Sequence, residues 1–319
     1  MASPRSQPNP LAGPYLNRIA EWRKDEARLR AAIADETALL VPVWQSRSLV
    51  IQDTTGVSAR FLSTVSSIGS IDTSELIFLG QFHERVCFAF EVVSESEPQL
   101  DANARFRDLR TIAGDLPTDE AGVLAYARAM VTWRERHRFC GRCGTPTASI
   151  QGGHVLKCTN PVCETQTFPR IDPAIIVLIH EGDHALLGRQ ASWPAGWYST
   201  IAGFVEPGES LEDAVVREAL EETGVTIDAV DYHSSQPWPF PSSLMIGFLA
   251  HAATTAIDLG DAELEEARWF TREQIAAGEA ALPPPHSISF RLVEEWYDAK
   301  ASRPLREESA ARRWVRPSR

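Results

Sequence analysis

The chain has 319 residues, enough for two compact domains or for one with a sizeable appendage. Hydrophobic residues make up 44% and charged residues 23%, the balance of an ordinary globular protein, and no apolar run approaches the roughly 18 residues that span a bilayer. A formal net charge of −12 argues against a protein whose main task is gripping nucleic-acid backbone.

The first ten residues, MASPRSQPNP, are polar and proline-rich and lack the charged-then-apolar pattern of a signal peptide, so they read as a frayed terminus. A cytoplasmic location follows by default. Residues 16–40 place Ile19, Trp22, Leu29 and Ile33 at helical spacing and predict a surface helix. Short β-like runs follow at Ser48–Gln52, Glu75–Leu79 and Val86–Val92, the last containing Cys87, which reads as a buried core thiol. A second helix is expected over 118–137, opening at Thr118-Asp119-Glu120. Residues 1–137 thus read as a mixed α/β domain.

Residues 138–168 form a distinct segment with Cys140-Gly-Arg-Cys143, then Cys158-Thr-Asn-Pro-Val-Cys163. Two close thiolate pairs on separate turns suit the four corners of a tetrahedron around Zn²⁺. The alternatives are two disulfides or four free thiols, and a reducing cytoplasm disfavours the disulfides. Gly141 and Gly144 relax the first turn, and Gly152-Gly153 suits a hairpin joining the two knuckles. Four protein ligands leave no open position, so the zinc is assigned to structure and not to catalysis.

From residue 169 to 300 the pattern changes. A continuous apolar strand at Ala174–Ile179 leads through Glu181-Gly182-Asp183 to a second strand at Ala185–Leu187. Further strands are expected at 244–252 and 267–270, with a closing helix near 287–299. Between them lies a strong helix at about 210–223, with Ser210 as its cap, Asp213 three residues on and Gly224 as its stop. At about 100° per residue, Glu218, Glu221 and Glu222 fall within an arc of roughly 100°, with Val216, Ala219 and Leu220 on the opposite side to pack on a sheet. Like charges at these spacings repel, and a hard divalent cation relieves the repulsion. Such a cation neutralises phosphate oxygens while a carboxylate orients or deprotonates water, a combination suited to splitting a diphosphate. Residues 301–319 carry six arginines against Glu307 and Glu308 and read as a solvated basic tail.

The stretch from Gly203 through Glu209, Arg217, Glu218, Glu221, Glu222, Gly224 and Val225 resembles the Nudix box, G-x₅-E-x₇-R-E-U-x-E-E-x-G-U, with Ala219 the one departure, at an aliphatic position. The resemblance implies an α/β/α sandwich holding Mg²⁺ or Mn²⁺, with Arg217 positioning the glutamates. Further on, Ser235-Gln-Pro-Trp-Pro-Phe-Pro-Ser-Ser243 alternates three prolines, stiffening an extended segment that presents Trp238 and Phe240 in fixed directions as a stacking platform. That string is similar to the S-Q-P-W-P-F-P-x-S motif of the NudC family of NADH pyrophosphatases. In that family a mixed N-terminal domain, a four-cysteine ribbon and a Nudix domain follow in the same order.

Membership would imply a homodimer that hydrolyses NAD(H) to AMP and nicotinamide mononucleotide and removes NAD caps from RNA. The resemblance suggests Glu218, Glu222 and Glu263 as side-chain metal ligands, with the Ala202 carbonyl, and Glu221 in the metal shell or positioning water. It suggests Phe204 and Phe168 around the nicotinamide ring. Gln236, Pro237, Trp238, Pro239, Phe240, Pro241, Ser242 and Ser243 would line the substrate cleft, Ser289 would touch the dinucleotide and Arg110 a phosphate. The competing readings are a Nudix hydrolase for ADP-ribose or another dinucleotide, and a zinc-ribbon RNA-binding protein with an inactive Nudix domain. The complete box disfavours the second.

Overall fold

The structure, a computed structural model, describes residues 8–13, 15–63, 73–260 and 263–308. The described residues divide into two compact units. One comprises residues 10–171 with 237–242, and the other takes residue 9 and earlier, 172–236 and everything from 243 on.

In the first unit a mixed sheet is built from β1 (Leu16–Asn17), β2 (Leu39–Trp44), β3 (Arg47–Asp53), β4 (Gly56–Ala59), β5 (Ile77–Phe82), β6 (Arg85–Glu91) and β7 (Ala104–Arg107), in the order β1-β5-β6-β2-β3-β4 with β7 on β3. Alternation sorts its side chains: Leu39, Val41, Val43, Ile77, Leu79 and Ala89 pack with the long helix α3 (Thr118–Arg136), which follows the one-turn α2 (Leu109–Ile112). Leu40, Phe78, Phe88 and Phe90 take the other face with Leu29 and Ala32 of α1 (Glu26–Ala34). The helix expected over 16–40 is therefore broken into β1, a 3₁₀ turn at Ala20–Lys24 and α1, and Asp25 interrupts it by capping α1 through the Arg28 amide. Cys87 is fully buried, as expected, and burial pushes its thiol up to about 12.

The ribbon belongs to the same unit. Strands β8 (Thr147–Ile150), β9 (Val155–Cys158) and β10 (Gln166–Thr167) form a three-stranded sheet, and Gly152 and Gly153, at φ +61 and +86, turn the hairpin between β8 and β9. The hairpin tip lies against β5: the Gly152 carbonyl accepts from the Phe78 amide at 2.9 Å, and a Cβ on Gly153 would lie 3.0 Å from the Ile77 Cα. His154 donates from Nε2 to the Phe78 carbonyl at 2.7 Å, and burial lowers its pKa to about 4, so it stays neutral. All four ribbon sulfurs lie within 4.8 Å of one another, with Cys140 to Cys163 at 3.8 Å and Cys143 to Cys158 at 3.4 Å. Zn–S bonds of about 2.3 Å in a tetrahedron demand sulfur separations of about 3.8 Å, so the four thiolates fit one zinc ion. All four cysteines are free here, with no disulfide among them.

The second unit is an α/β/α sandwich. Its sheet runs β14 (Ile227–Trp238), β15 (Ser243–Ala252), β11 (Asp172–Glu181), β12 (His184–Arg189), β16 (Glu266–Thr271), with β13 (Ile201–Phe204) also on β11. β11 and β15 are parallel, from Asp172↔Ser243 to His180↔His251. On β11, Ile175, Val177 and Ile179 face α4 (Leu211–Thr223), while Ile176 and Leu178 face α6 (Ile288–Asp298) and the short α5 (Arg272–Ala277). Two expectations about the termini change. Asn9 is 2% exposed and hydrogen-bonded to Ser234 and Ser235, so it is anchored, and residues 1–7 of the expected frayed terminus lie outside the described residues. Leu305 is fully buried against α6 in a 3₁₀ turn at Leu305–Glu307, and Arg306 pairs with Glu294, so the basic tail is not solvated from residue 301. Residues 309–319 of that tail lie outside the described residues. Among the described residues no helix is long and apolar enough to cross a membrane.

Cys143→Ser is expected to lose its zinc and to lower the thermal midpoint by several degrees, because metal binding here is folding free energy. Elemental analysis and a melting curve check it, and full zinc content in the variant would show that the four-thiolate assignment is wrong.

Candidate diphosphate and metal site on the acidic helix

Helix α4 begins at a reciprocal capping box. The Ser210 hydroxyl accepts from the Asp213 amide at 3.1 Å, and the Asp213 carboxylate accepts from the Ser210 amide at 3.0 Å. Gly224, at φ +70, ends it. Between these stops the inward face carries Ala214, Val215 and Ala219 together with Glu218 and Glu222, which are 8% and 5% exposed. Val216 and Leu220, expected to pack on the sheet, are 40% and 51% exposed. The small residues explain the reversal: they let α4 approach the sheet closely, and the turn that buries them carries Glu218 and Glu222 in with them.

Gly203 makes that burial possible. A Cβ built there would lie 1.8 Å from Glu218 Oε1 and 1.9 Å from Cδ, so the carboxylate occupies the space that any other residue's side chain would fill. β13 is held to β11 with Ala202 opposite Ile176 and Gly203 opposite Ile175, which fixes the Ala202 backbone one residue from that contact.

Arg217 ties the loop to the helix. Its Nε and Nη2 donate to the two oxygens of Glu209 at 3.0 and 2.7 Å, Nη2 also donates to the Phe204 carbonyl at 2.9 Å, and Nη1 donates to Glu218 at 2.8 Å and Glu221 at 3.0 Å. Hydrogen bonds from Arg217, with the Glu206 amide, hold the Glu209 carboxyl down at about 2, and Glu209 in turn raises the Arg217 pKa. Glu218 moves the other way. Burial raises its pKa first, Arg217 opposes this, and the charges of Glu221 and Glu263 push it further up. With Glu218 seated in the side-chain space that Gly203 leaves open and Glu221 on the same Arg217 donor, the helix gathers hard oxygen donors of the kind a divalent cation takes.

Glu218 lies against the Gly203 backbone, shares the Arg217 guanidinium with Glu221, and feels the charges of Glu221 and Glu263, while Glu222 is buried one turn further along the helix. Phe204 is 61% exposed beside this cluster, and Phe168, in the other unit, is 60% exposed. Gln236 is fully buried, its amide donating to the His286 carbonyl and accepting from the Ile288 amide, both at 2.8 Å, which ties it to the start of α6. Ser289 is 4% exposed, and its hydroxyl lies 2.9 Å from those of Ser199 and Thr200.

The proline string is not extended throughout. β14 ends at Trp238, and Pro239–Ser242 form a turn before Ser243 opens β15. Pro237, Trp238 and Phe240 are half-buried, Pro239 is buried, Pro241 is exposed, and Trp238 and Phe240 pack against the core of the first unit. Arg110 lies there too, with its guanidinium 4.9 Å from the Phe240 ring centre. Arg128 matches it at 4.9 Å and donates to the Pro239 carbonyl at 2.7 Å. Sequence reading missed Arg128, since an arginine within a helix carries no signal that it reaches a turn 111 residues away.

Gly203→Ala is expected to cut diphosphate hydrolysis by about a hundredfold or more, since its methyl group must displace Glu218. Zinc content and circular dichroism should stay as in the parent. Turnover within a few-fold of the parent would mean that the carboxylate tolerates the displacement.

Three family models match the chain in succession: "NADH pyrophosphatase-like rudimentary NUDIX domain" over residues 37–133, "NADH pyrophosphatase zinc ribbon domain" over 135–168 and "NUDIX domain" over 170–290. The "NAD-capped RNA hydrolase NudC" of Mycobacterium bovis is 35% identical over 300 residues, 89% of this chain and 94% of that protein. The protein of the same description from Stutzerimonas stutzeri is 41% identical over 226 residues, 71% of this chain and 79% of that one. The human "NAD-capped RNA hydrolase NUDT12" is 43% identical over 196 residues, 57% of this chain and 42% of that protein, so the chain spans less than half the length of this relative. With all three domains in order and NudC proteins matching most of its length, the chain belongs to the NudC family of Nudix hydrolases.

Proposed function

We propose that this protein hydrolyses the diphosphate of NAD(H) to AMP and nicotinamide mononucleotide, and removes NAD caps from RNA 5′ ends by the same cleavage. The observation that carries the reading is the Glu218 carboxylate seated on the bare backbone of Gly203, with Arg217 joining it to Glu209 and Glu221. The names of the NudC and NUDT12 relatives support the substrate class.

Glu218, Glu222 and Glu263, with the Ala202 carbonyl, would hold Mg²⁺ or Mn²⁺. When bound, the cation neutralises charge on the diphosphate oxygens and makes a coordinated water more acidic. Arg217 screens Glu218 and Glu221 from each other's charge, and Glu221, half-exposed, is assigned to the metal shell or to orienting the attacking water. Phe204 offers a flat apolar face beside the cluster for the nicotinamide ring, and Phe168 is the second aromatic assigned to that ring. Arg110 and the Trp238–Phe240 turn are assigned to the rest of the dinucleotide. A cytoplasmic homodimer completes the proposal, and multi-angle light scattering of the purified protein would test the dimer. Incubation with NADH and a divalent cation should release AMP and reduced nicotinamide mononucleotide, and faster cleavage of ADP-ribose than of NADH would overturn the assignment.

Glu222→Gln, which keeps shape and removes one charge, should lower turnover by about a hundredfold or more while the thermal midpoint changes little. Near-normal activity at saturating Mg²⁺ would remove Glu222 from the metal site.

Phe204→Ala removes one stacking face, for a loss of about 1–3 kcal/mol, or roughly tenfold to a hundredfold in affinity. Steady-state kinetics should show that loss on NADH and on a short NAD-capped RNA, and much less on a diadenosine diphosphate. Equal losses on all three would mean that Phe204 serves the fold and not the nicotinamide.

A further inference from the structure

Glu263 lies outside the Nudix box and outside regular structure, between β15 and β16, on a stretch that passes close to α4: a Cβ on Gly260 would lie 3.3 Å from the Glu221 carbonyl. A carboxylate on an exposed stretch needs something to hold it there, and the residues just after it are held closely. Leu264 is 8% exposed and belongs to the core on the α4 side of the sheet. It seats over Gly188 of β12, where a Cβ would lie 2.7 Å from Leu264 Cδ1 and 3.2 Å from Ile201 Cδ1. The Glu265 amide donates to the Arg189 carbonyl at 2.9 Å, which extends the β12–β16 ladder by one bond beyond Arg189↔Glu266.

The side chain of Arg189 completes the anchorage. It is 8% exposed, its Nη1 donates to the Glu265 carboxylate, and its Nη2 donates to the Trp193 carbonyl at 3.0 Å. One buried guanidinium therefore fastens the stretch carrying Glu263 to β12 and to the loop that leads into β13, the strand of Ala202 and Gly203. A planar fork with two donors aimed at two different loops is a task that a lysine cannot copy.

We propose that Arg189 is a positioning residue for divalent-cation binding: by clamping Glu265 and the Trp193 carbonyl it fixes the backbone that carries Glu263. The inference rests on the reading of Glu263 as a metal ligand. Groups that orient a metal ligand typically change metal affinity by about tenfold to a hundredfold when removed.

The test is Mn²⁺ titration of the zinc-loaded full-length protein without substrate, with free Mn²⁺ read by electron paramagnetic resonance. Arg189→Met should weaken Mn²⁺ binding by about tenfold, and Arg189→Lys should not restore it. Glu265→Gln breaks the same clamp from its half-exposed end, leaves the core intact, and should weaken binding in the same direction. Combined with Glu263→Gln, Arg189→Met should cost little more than Glu263→Gln alone, because both act through one carboxylate. If Glu263→Gln weakens Mn²⁺ binding but Arg189→Met and Glu265→Gln do not, or if the two effects multiply in full, the clamp is overturned while the ligand assignment stands. If Glu263→Gln itself leaves Mn²⁺ affinity unchanged, the ligand assignment falls, and the inference with it.

Discussion

Everything at the acidic site depends on one guanidinium. Arg217 meets Glu209, Glu218 and Glu221, three carboxylates of like charge, and the Phe204 carbonyl besides. Without it the loop from Gly203 to Glu209 would have no charged tie to the helix, and the glutamates on α4 would face each other's repulsion unrelieved. Because Arg217 and its Glu209 and Glu218 partners are largely withdrawn from solvent, their attraction is screened less than that of a surface pair. Breaking a pair of this kind by removing one partner leaves charge without compensation, so the loop and the helix stand or fall together.

The constraint shapes α4 in a second way. A helix packed on a sheet ordinarily turns its largest apolar side chains inward, but α4 turns in Ala214, Val215 and Ala219 and leaves Val216 and Leu220 outside. Small residues bring the helix axis near the sheet, and that nearness presses Glu218 onto Gly203. Ala219, which departs from the bulky aliphatic residue of the box, fits this arrangement: it is fully buried, and a larger side chain there would have to find room against the sheet. The site accepts a thinner apolar interface in exchange for carboxylates held at low exposure.

Much of this was legible in the residues because local rules and chemistry agreed. The Ser210 cap, the Gly224 stop, the paired cysteines and the continuous apolar run of β11 each announce themselves at short range, and each is where the pattern puts it. The failures are instructive for the opposite reason. Helical periodicity ranks residues by hydrophobicity, so it turned Val216 and Leu220 inward, and nothing local says that glutamates will outrank them. Alternating prolines read as a rod, whereas the turn at Pro239–Ser242 is decided by pairing of β14 with β15. The hydrogen bonds of Gln236 and Ser289 at the start of α6 join partners about 50 and 90 residues away, which no local pattern announces. Arg189 is silent in the sequence because Glu265, 76 residues away, is brought to it only by the fold.

The C-terminal end of the sandwich has a practical consequence. The stretch that matches the Nudix family stops at residue 290, within the first turn of α6. The apolar core does not stop there: Leu292, Val293, Trp296, Tyr297 and Leu305 are all buried in it. A fragment cut at the border of family similarity would therefore display an open greasy trough along one side of the sheet, and it would clump in solution long before its chemistry could be assayed. The physical domain is longer than the recognisable one by at least fifteen residues, reaching to Leu305, and recombinant boundaries should be drawn by burial instead of by likeness.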